Sequence, residues 1–132
     1  MHAFLIELDN APGALARVAE AIAAKDVNIT AVAGATCGEA GRAAITTTDE
    51  ALTRIALAEA RCSFTELEVT ETTLRHEPGS LATACSRLAE ADINIEAVLP
   101  MGMAGEDVQI GFVTSDPAKA REALAIVGMT SR

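Results

Sequence analysis

The chain has 132 residues, half of them hydrophobic, with a formal net charge of -9, no Trp, no Tyr and three Phe. That acidity and the scarcity of stacking platforms argue against nucleic acid as a partner, and an anionic membrane surface would repel the protein. No run of 18 apolar residues is present to cross a bilayer. The start, Met1-His2-Ala3-Phe4, has no basic stretch leading into an apolar one, so a cytoplasmic protein is expected.

In chain order, Phe4, Ile6 and Leu8 alternate with Leu5, Glu7 and Asp9, which predicts a strand. Pro12 is then expected to open a helix, where its missing N–H costs no hydrogen bond. Leu15, Val18 and Ile22 supply the apolar stripe of that helix. Lys25-Asp26 ends it, and a β-prone run follows over 29–37. Gly38-Glu39-Ala40-Gly41 predicts a hairpin turn into a strand over 42–48. Asp49 is a good N-cap for a second helix, and a fourth strand is expected over 64–69.

The chain then repeats itself. At an offset of 66, Pro12 to Val32 aligns with Pro78 to Val98 and ten of 21 positions are identical, among them Pro12/Pro78, Gly13/Gly79, Leu15/Leu81, Asp26/Asp92, Asn28/Asn94 and Ile29/Ile95. With one inserted residue the match resumes at Asp49 against Asp116. Such periodicity marks a duplicated unit, here 1–69 and 70–132. Leu81, Cys85 and Leu88 form the matching helical stripe. The second copy should have strands over 95–103 and 107–114, a turn between Gly102 and Asp107, and a helix from Asp116.

Each copy thus reads β-α-β-β-α-β, an α+β, ferredoxin-like unit with an antiparallel sheet and both helices on one face. Little chain follows Gly128, so the fourth strand of the second copy should be very short or absent. That leaves an open sheet edge, which favours pairing with another strand. Pro100 predicts an edge or a bulge. No Gly or Pro separates Phe64–Val69 from Thr70–Arg75, so one long extended segment is expected there. Leu67 and Val69 would face one side and Leu74 the other, which calls for a bulge or twist near 70–72.

The candidate site is the loop that leaves the first strand of each copy: Asn10, Ala11, Pro12, Gly13, Ala14 and Leu15, and His76, Glu77, Pro78, Gly79, Ser80 and Leu81. Free amides and the helix dipole at a helix start suit a carboxylate. Glycine lets a ligand approach the backbone. The plainer alternative is a tight turn at each Pro-Gly, with Asn28 and Asn94 serving as helix caps. No His partner is evident for Cys37 or Cys62, and the two histidines have no ligand spacing, so neither catalysis nor a bound metal or cofactor is expected. The odd set of Cys37, Cys62 and Cys85 forms no disulfide framework, and Cys85 reads as a small core residue.

The pattern Asn10-Ala11-Pro12-Gly13-Ala14-Leu15-Ala16 with Asp26-Val27-Asn28-Ile29, repeated as His76-Glu77-Pro78-Gly79-Ser80-Leu81-Ala82 with Asp92-Ile93-Asn94-Ile95, resembles the ACT domain over almost the whole chain. The resemblance implies a non-catalytic regulatory protein that binds an amino acid or similar small carboxylate between paired domains. It implies contacts from the loop, from Asn28 and Ile29, and from Asn94 and Ile95. It further implies a homodimer and a regulated enzyme in trans. Leu8 and Leu74 stand where some members carry a polar contact, which points to an apolar amino acid. The competing reading is an assembly module that binds no ligand.

Overall fold

The computed structural model describes residues 1–130, with side chains through Ala125. Its elements run β1 (His2–Asp9), α1 (Ala14–Ala23), β2 (Ile29–Cys37), β3 (Ala40–Thr47), α2 (Glu50–Glu59), β4 (Phe64–Arg75), α3 (Ser80–Glu90), β5 (Ile95–Ala104), β6 (Asp107–Thr114) and α4 (Pro117–Thr130). The fold class is α+β, with every strand antiparallel to its neighbours. The chain divides into two compact units, His2–Leu67 and Glu68–Arg132 with Met1.

In the first unit β3 lies between β2 and β1, pairing Phe4 with Ile45 and Ile45 with Val32. The start of β4 flanks β1 on its other side, with the Glu7 N–H donating to the Ser63 carbonyl at 2.9 Å. This is the expected ferredoxin-like order. Phe4, Ile6 and Ile45 from the sheet meet Val18 and Ile22 of α1 and Ala56 and Leu57 of α2 in one core. Phe64 closes its edge, its ring centroid 5.9 Å from that of Phe4. The Asp49 carboxylate caps α2 by accepting from the Leu52 N–H at 2.9 Å, as anticipated.

The second unit repeats this with β6 between β4 and β5. Its core joins Leu74 and Phe112 with Ala84, Leu88, Ala120 and Leu124. Cys85 packs against it as a small core residue. Asp116 caps α4 through the Lys119 N–H. Among the described residues no strand follows α4 in the place of the first unit's fourth strand. Pro100 lies in β5, the outer strand, and the register shifts between Pro100 and Gly102, so it has both the edge and the bulge expected of it. The turn falls at Gly105-Glu106, within the stretch between Gly102 and Asp107 expected for it.

Three expectations need correction. Pro12 does not open α1. The helix begins at Ala14, and Ala11-Pro12-Gly13-Ala14 is a type II turn, with Gly13 at φ 89, ψ -7 and the Ala14 N–H on the Ala11 carbonyl. Glu77-Pro78-Gly79-Ser80 repeats it, with Gly79 at φ 92. Leu15 and Leu81 are half-exposed instead of lining the core. The bulge expected near 70–72 is also missing.

Strand β4 is one continuous segment whose register with β6 is unbroken from Val69 to Arg75. Its even-numbered residues face the helices of their own unit. Phe64 packs on the first core, Glu66 meets Arg54 of α2, and Leu74 lies in the second core. Leu67 and Val69 therefore face away from the helices. Val69 is buried there opposite Val113, over Gly111. A Cβ on Gly111 would come within 2.8 Å of Val69 Cγ1, so the glycine makes room for it.

Candidate functional site: a cleft of mixed charge

The type II turn of the first unit opens on a cleft of ≈ 1060 Å³, and Ala11, Pro12, Gly13 and Ala14 form one wall. Gly13 serves as N-cap of α1 and has no side chain to satisfy the first amides of the helix. Those donors and the positive end of the dipole face the solvent side of the turn. A Cβ on Gly13 would meet nothing within 4 Å, so space beside the backbone is open. The loop is braced by Asn10, whose Nδ2 donates to the Gly38 carbonyl at 2.7 Å and whose backbone N–H donates to Glu39. Asn10 thus holds the β2–β3 turn against the loop.

Three arginines and three acids share the lining: Arg17, Arg42 and Arg61, with Glu7, Asp9 and Glu39. Arg17 is committed, donating to the Ala60 carbonyl at 2.6 Å at the end of α2. Arg61 follows, at φ 59, in the left-handed conformation that glycine holds more cheaply. The Arg61 N–H donates to Ala58 and the Cys62 N–H to Leu57, a Schellman closure with arginine in the glycine position. Arg42 stands opposite Glu7 in the β1–β3 ladder. Among the described residues, Arg42, Arg61, Glu7, Asp9 and Glu39 enter no salt bridge. Leu8 and Val18 add apolar surface to the same cleft. Cys37 and Cys62 also line it, and both are free thiols.

Asn28 lies elsewhere. Its backbone N–H donates to Thr48 Oγ1 at 3.0 Å and its carbonyl accepts from the Thr48 N–H, which ties the start of β2 to the end of β3. Cys37, at the other end of β2, sits beside Ala40 at the loop end of the sheet. Eight residue steps separate Ile29 from Cys37, about 26 Å at strand rise. The loop and Asn28 of one unit therefore cannot hold the same small ligand. Asn94 repeats the arrangement, donating its N–H to Ser115 Oγ. Ile29 and Ile95 are partly buried against the two cores. Among the described residues neither carboxamide has a partner.

In the second unit His76, Glu77, Pro78 and Gly79 are exposed around the matching turn, and Gly79 likewise has open space beside it. Thr83 occupies the position of Arg17, and its hydroxyl donates to the Gly79 carbonyl at 3.0 Å. Gln109 occupies the position of Arg42, since it stands opposite Thr73 as Arg42 stands opposite Glu7. Glu39 recurs as Glu106 and Arg75 stands in place of Asp9, but the arginines that line the first cleft are not repeated.

Sequence reasoning singled out the loops and missed Arg42, Arg61 and the acids. For Glu7, Arg42 and Arg61 the signal is the reverse of a repeat: they are charged where the other copy has Thr73, Gln109 and Gly128.

No family model matches the chain and no curated protein matches it. Solved structures do. A protein from Bacteroides thetaiotaomicron aligns with a TM-score of 0.78 at 22% identity, covering 95% of this chain and 86% of that one. The regulatory subunit of aspartate kinase from Thermus thermophilus, in a ligand-free form, aligns at 0.68 and 19% identity, covering 98% and 91%. The corresponding subunit from Thermus flavus gives 0.66, 20%, 98% and 92%. At these identities the likeness is one of fold, and it spans both units: the chain is built as the regulatory subunits of aspartate kinase are built.

Proposed function

We propose that the protein is a non-catalytic regulator of the tandem ACT type, with domains at 1–69 and 70–132, and that the cleft of the first unit binds an α-amino acid. One observation carries the reading. Unpaired side chains of both signs line a cleft that also holds an uncapped helix start. A zwitterion matches that set: its carboxylate takes the amides after Gly13 with Arg42 or Arg61, and its ammonium takes Glu7, Asp9 or Glu39. Leu8 and Val18 suit an apolar side chain.

Asn28, at the far end of the sheet, reaches the same ligand only from a second chain, which fits a homodimer. The exposed apolar pairs Leu15/Leu81 and Val32/Val98 recur at equivalent positions of both units and provide surface for such pairing. They also favour the second reading, a ligand-free assembly module that acts on an enzyme in trans.

Calorimetric titration of the full chain with each of the twenty amino acids tests the proposal. Binding of at least one, weakened by Arg42→Gln and Arg61→Gln, is expected. No heat with any amino acid leaves the assembly reading in its place.

A further inference from the structure

At the end of β1 away from the cleft, three metal-ligating side chains from three elements converge. We infer that His2, Glu50 and Glu66 form a binding site for a divalent transition-metal cation of the zinc or cobalt kind. This site is independent of the amino-acid reading.

His2 is the first residue of β1, Glu50 the first of α2, and Glu66 lies in β4. His2 Nδ1 is 2.7 Å from Glu66 Oε2 and 3.8 Å from Glu50 Oε1. One ligand atom from each of the three residues lies within 4.8 Å of the other two. A cation bound at about 2.0–2.2 Å to nitrogen and carboxylate oxygen keeps its ligands about 3–3.5 Å apart. The observed separations bracket that value, so small side-chain rotations make the site.

The carboxylates are already oriented by other bonds, as ligating carboxylates usually are. Glu50 Oε2 accepts from the His2 backbone N–H at 2.8 Å, which leaves Oε1 free. Arg54 grips Glu66 with Nε on Oε1 at 2.7 Å and Nη2 on Oε2 at 2.9 Å. Oε2 keeps one lone-pair direction, the one now aimed at His2. Two carboxylates against one guanidinium leave a net negative charge beside the imidazole. A cation enters by replacing the proton between Nδ1 and Oε2, with water completing its shell. One imidazole and two carboxylates suit zinc, cobalt or manganese better than the oxygen-only sets of calcium and magnesium.

The second unit shows what the same place looks like as a plain ion pair. Arg121, the counterpart of Arg54, holds Glu68 at 3.0 Å, and Glu68 stands where His2 stands in the repeat. Pro117 replaces Glu50. One acid there satisfies one arginine, whereas the first unit adds a second acid and an imidazole.

The test uses the full chain, stripped with chelator. Titration with Co²⁺ should raise visible d–d bands without near-ultraviolet thiolate charge transfer, and Zn²⁺ should displace them. Calorimetry with Zn²⁺ should show one site weakened at least tenfold by His2→Ala and by Glu50→Gln. The glutamine keeps an acceptor for the His2 N–H, so its fold is retained. Zn²⁺ should raise the Tm of the wild type and leave that of His2→Ala unmoved. Thiolate charge transfer, which would place the ion on Cys37 or Cys62, overturns the assignment. So does affinity unchanged in either variant.

Discussion

The two units share a backbone plan and differ in charge where it matters. Both build the same type II turn into an uncapped helix, with Gly13 and Gly79 at nearly equal φ. Around the first turn stand Arg17, Arg42 and Arg61. The positions that correspond in the second are Thr83, Gln109 and, by sequence offset, Gly128. The near end of β1 diverges in the same way, with His2 and Glu50 against Glu68 and Pro117. Duplication supplies two scaffolds, and the residues that no longer match show which scaffold has been specialised.

The largest effect expected is on the cores, where the units should behave alike. Ile22 and Leu88 are equivalent and fully buried. Ile22→Ala and Leu88→Ala should each lower stability by about 2–5 kcal/mol. Because β4 contributes to both units, each should shift one and the same unfolding transition, followed by far-ultraviolet circular dichroism in urea. Two separable transitions would break the comparison at its base.

Ligand binding should divide the units. Arg42→Gln should cost about 1.5–3 kcal/mol of amino-acid affinity if it pairs with the carboxylate, whereas Gln109→Ala should leave that affinity unchanged in the same calorimetric assay. Arg61→Gly is sharper, because its two effects have opposite signs. Relieving the left-handed arginine should stabilise the fold by about 1 kcal/mol, while ligand affinity falls. A variant that gains Tm and keeps its affinity would remove Arg61 from the site.

Gly13→Ala and Gly79→Ala should each cost about 1–2 kcal/mol of stability, since both glycines hold left-handed φ with nothing nearby to clash. Only Gly13→Ala should also weaken the ligand. Equal losses of affinity in the two variants would show that the second turn binds as well.

The smallest effect concerns acid. Hydrogen bonds from Arg54, then from His2, hold Glu66 at a pKa of about 2, well below the ordinary carboxylate range. A lowered carboxylate stabilises the fold above its unfolded pKa, and that contribution disappears as pH falls from about 4.5 through about 2. In chelator-treated protein, the Tm gap between wild type and Glu66→Gln should therefore be full at pH 7 and close by pH 2. A gap independent of pH would mean that Glu66 contributes through packing alone.

Much of this fold was legible in the sequence, because repeats, caps and alternation are local signals. Asp49 and Asp116 announced α2 and α4, and the missing Gly or Pro between Phe64 and Arg75 announced one long strand. The position of Pro12 was misjudged because Pro-Gly satisfies two local rules, helix opening and type II turn, and only the φ of Gly13 separates them. The apparent parity clash in β4 came from assuming that every apolar residue faces the helices. Val69 instead has a partner in Val113 on the other face. The charged lining of the cleft was hidden for a different reason. Aligning the copies rewards agreement, while Arg42, Arg61, His2 and Glu50 are disagreements, which such an alignment passes over.

Strand β4 also governs how the molecule can be cut. Its first residues close one core and its last residues open the next, with no spare residue between them, so no scissile point divides the chain into two self-sufficient pieces. New termini belong at the exposed reversal Gly105-Glu106, where a circular permutant would break only a hairpin connection; at Gly38-Glu39 it would also loosen the brace from Asn10. A protease nick or a permutation inside Phe64–Arg75 would open both hydrophobic interiors at once.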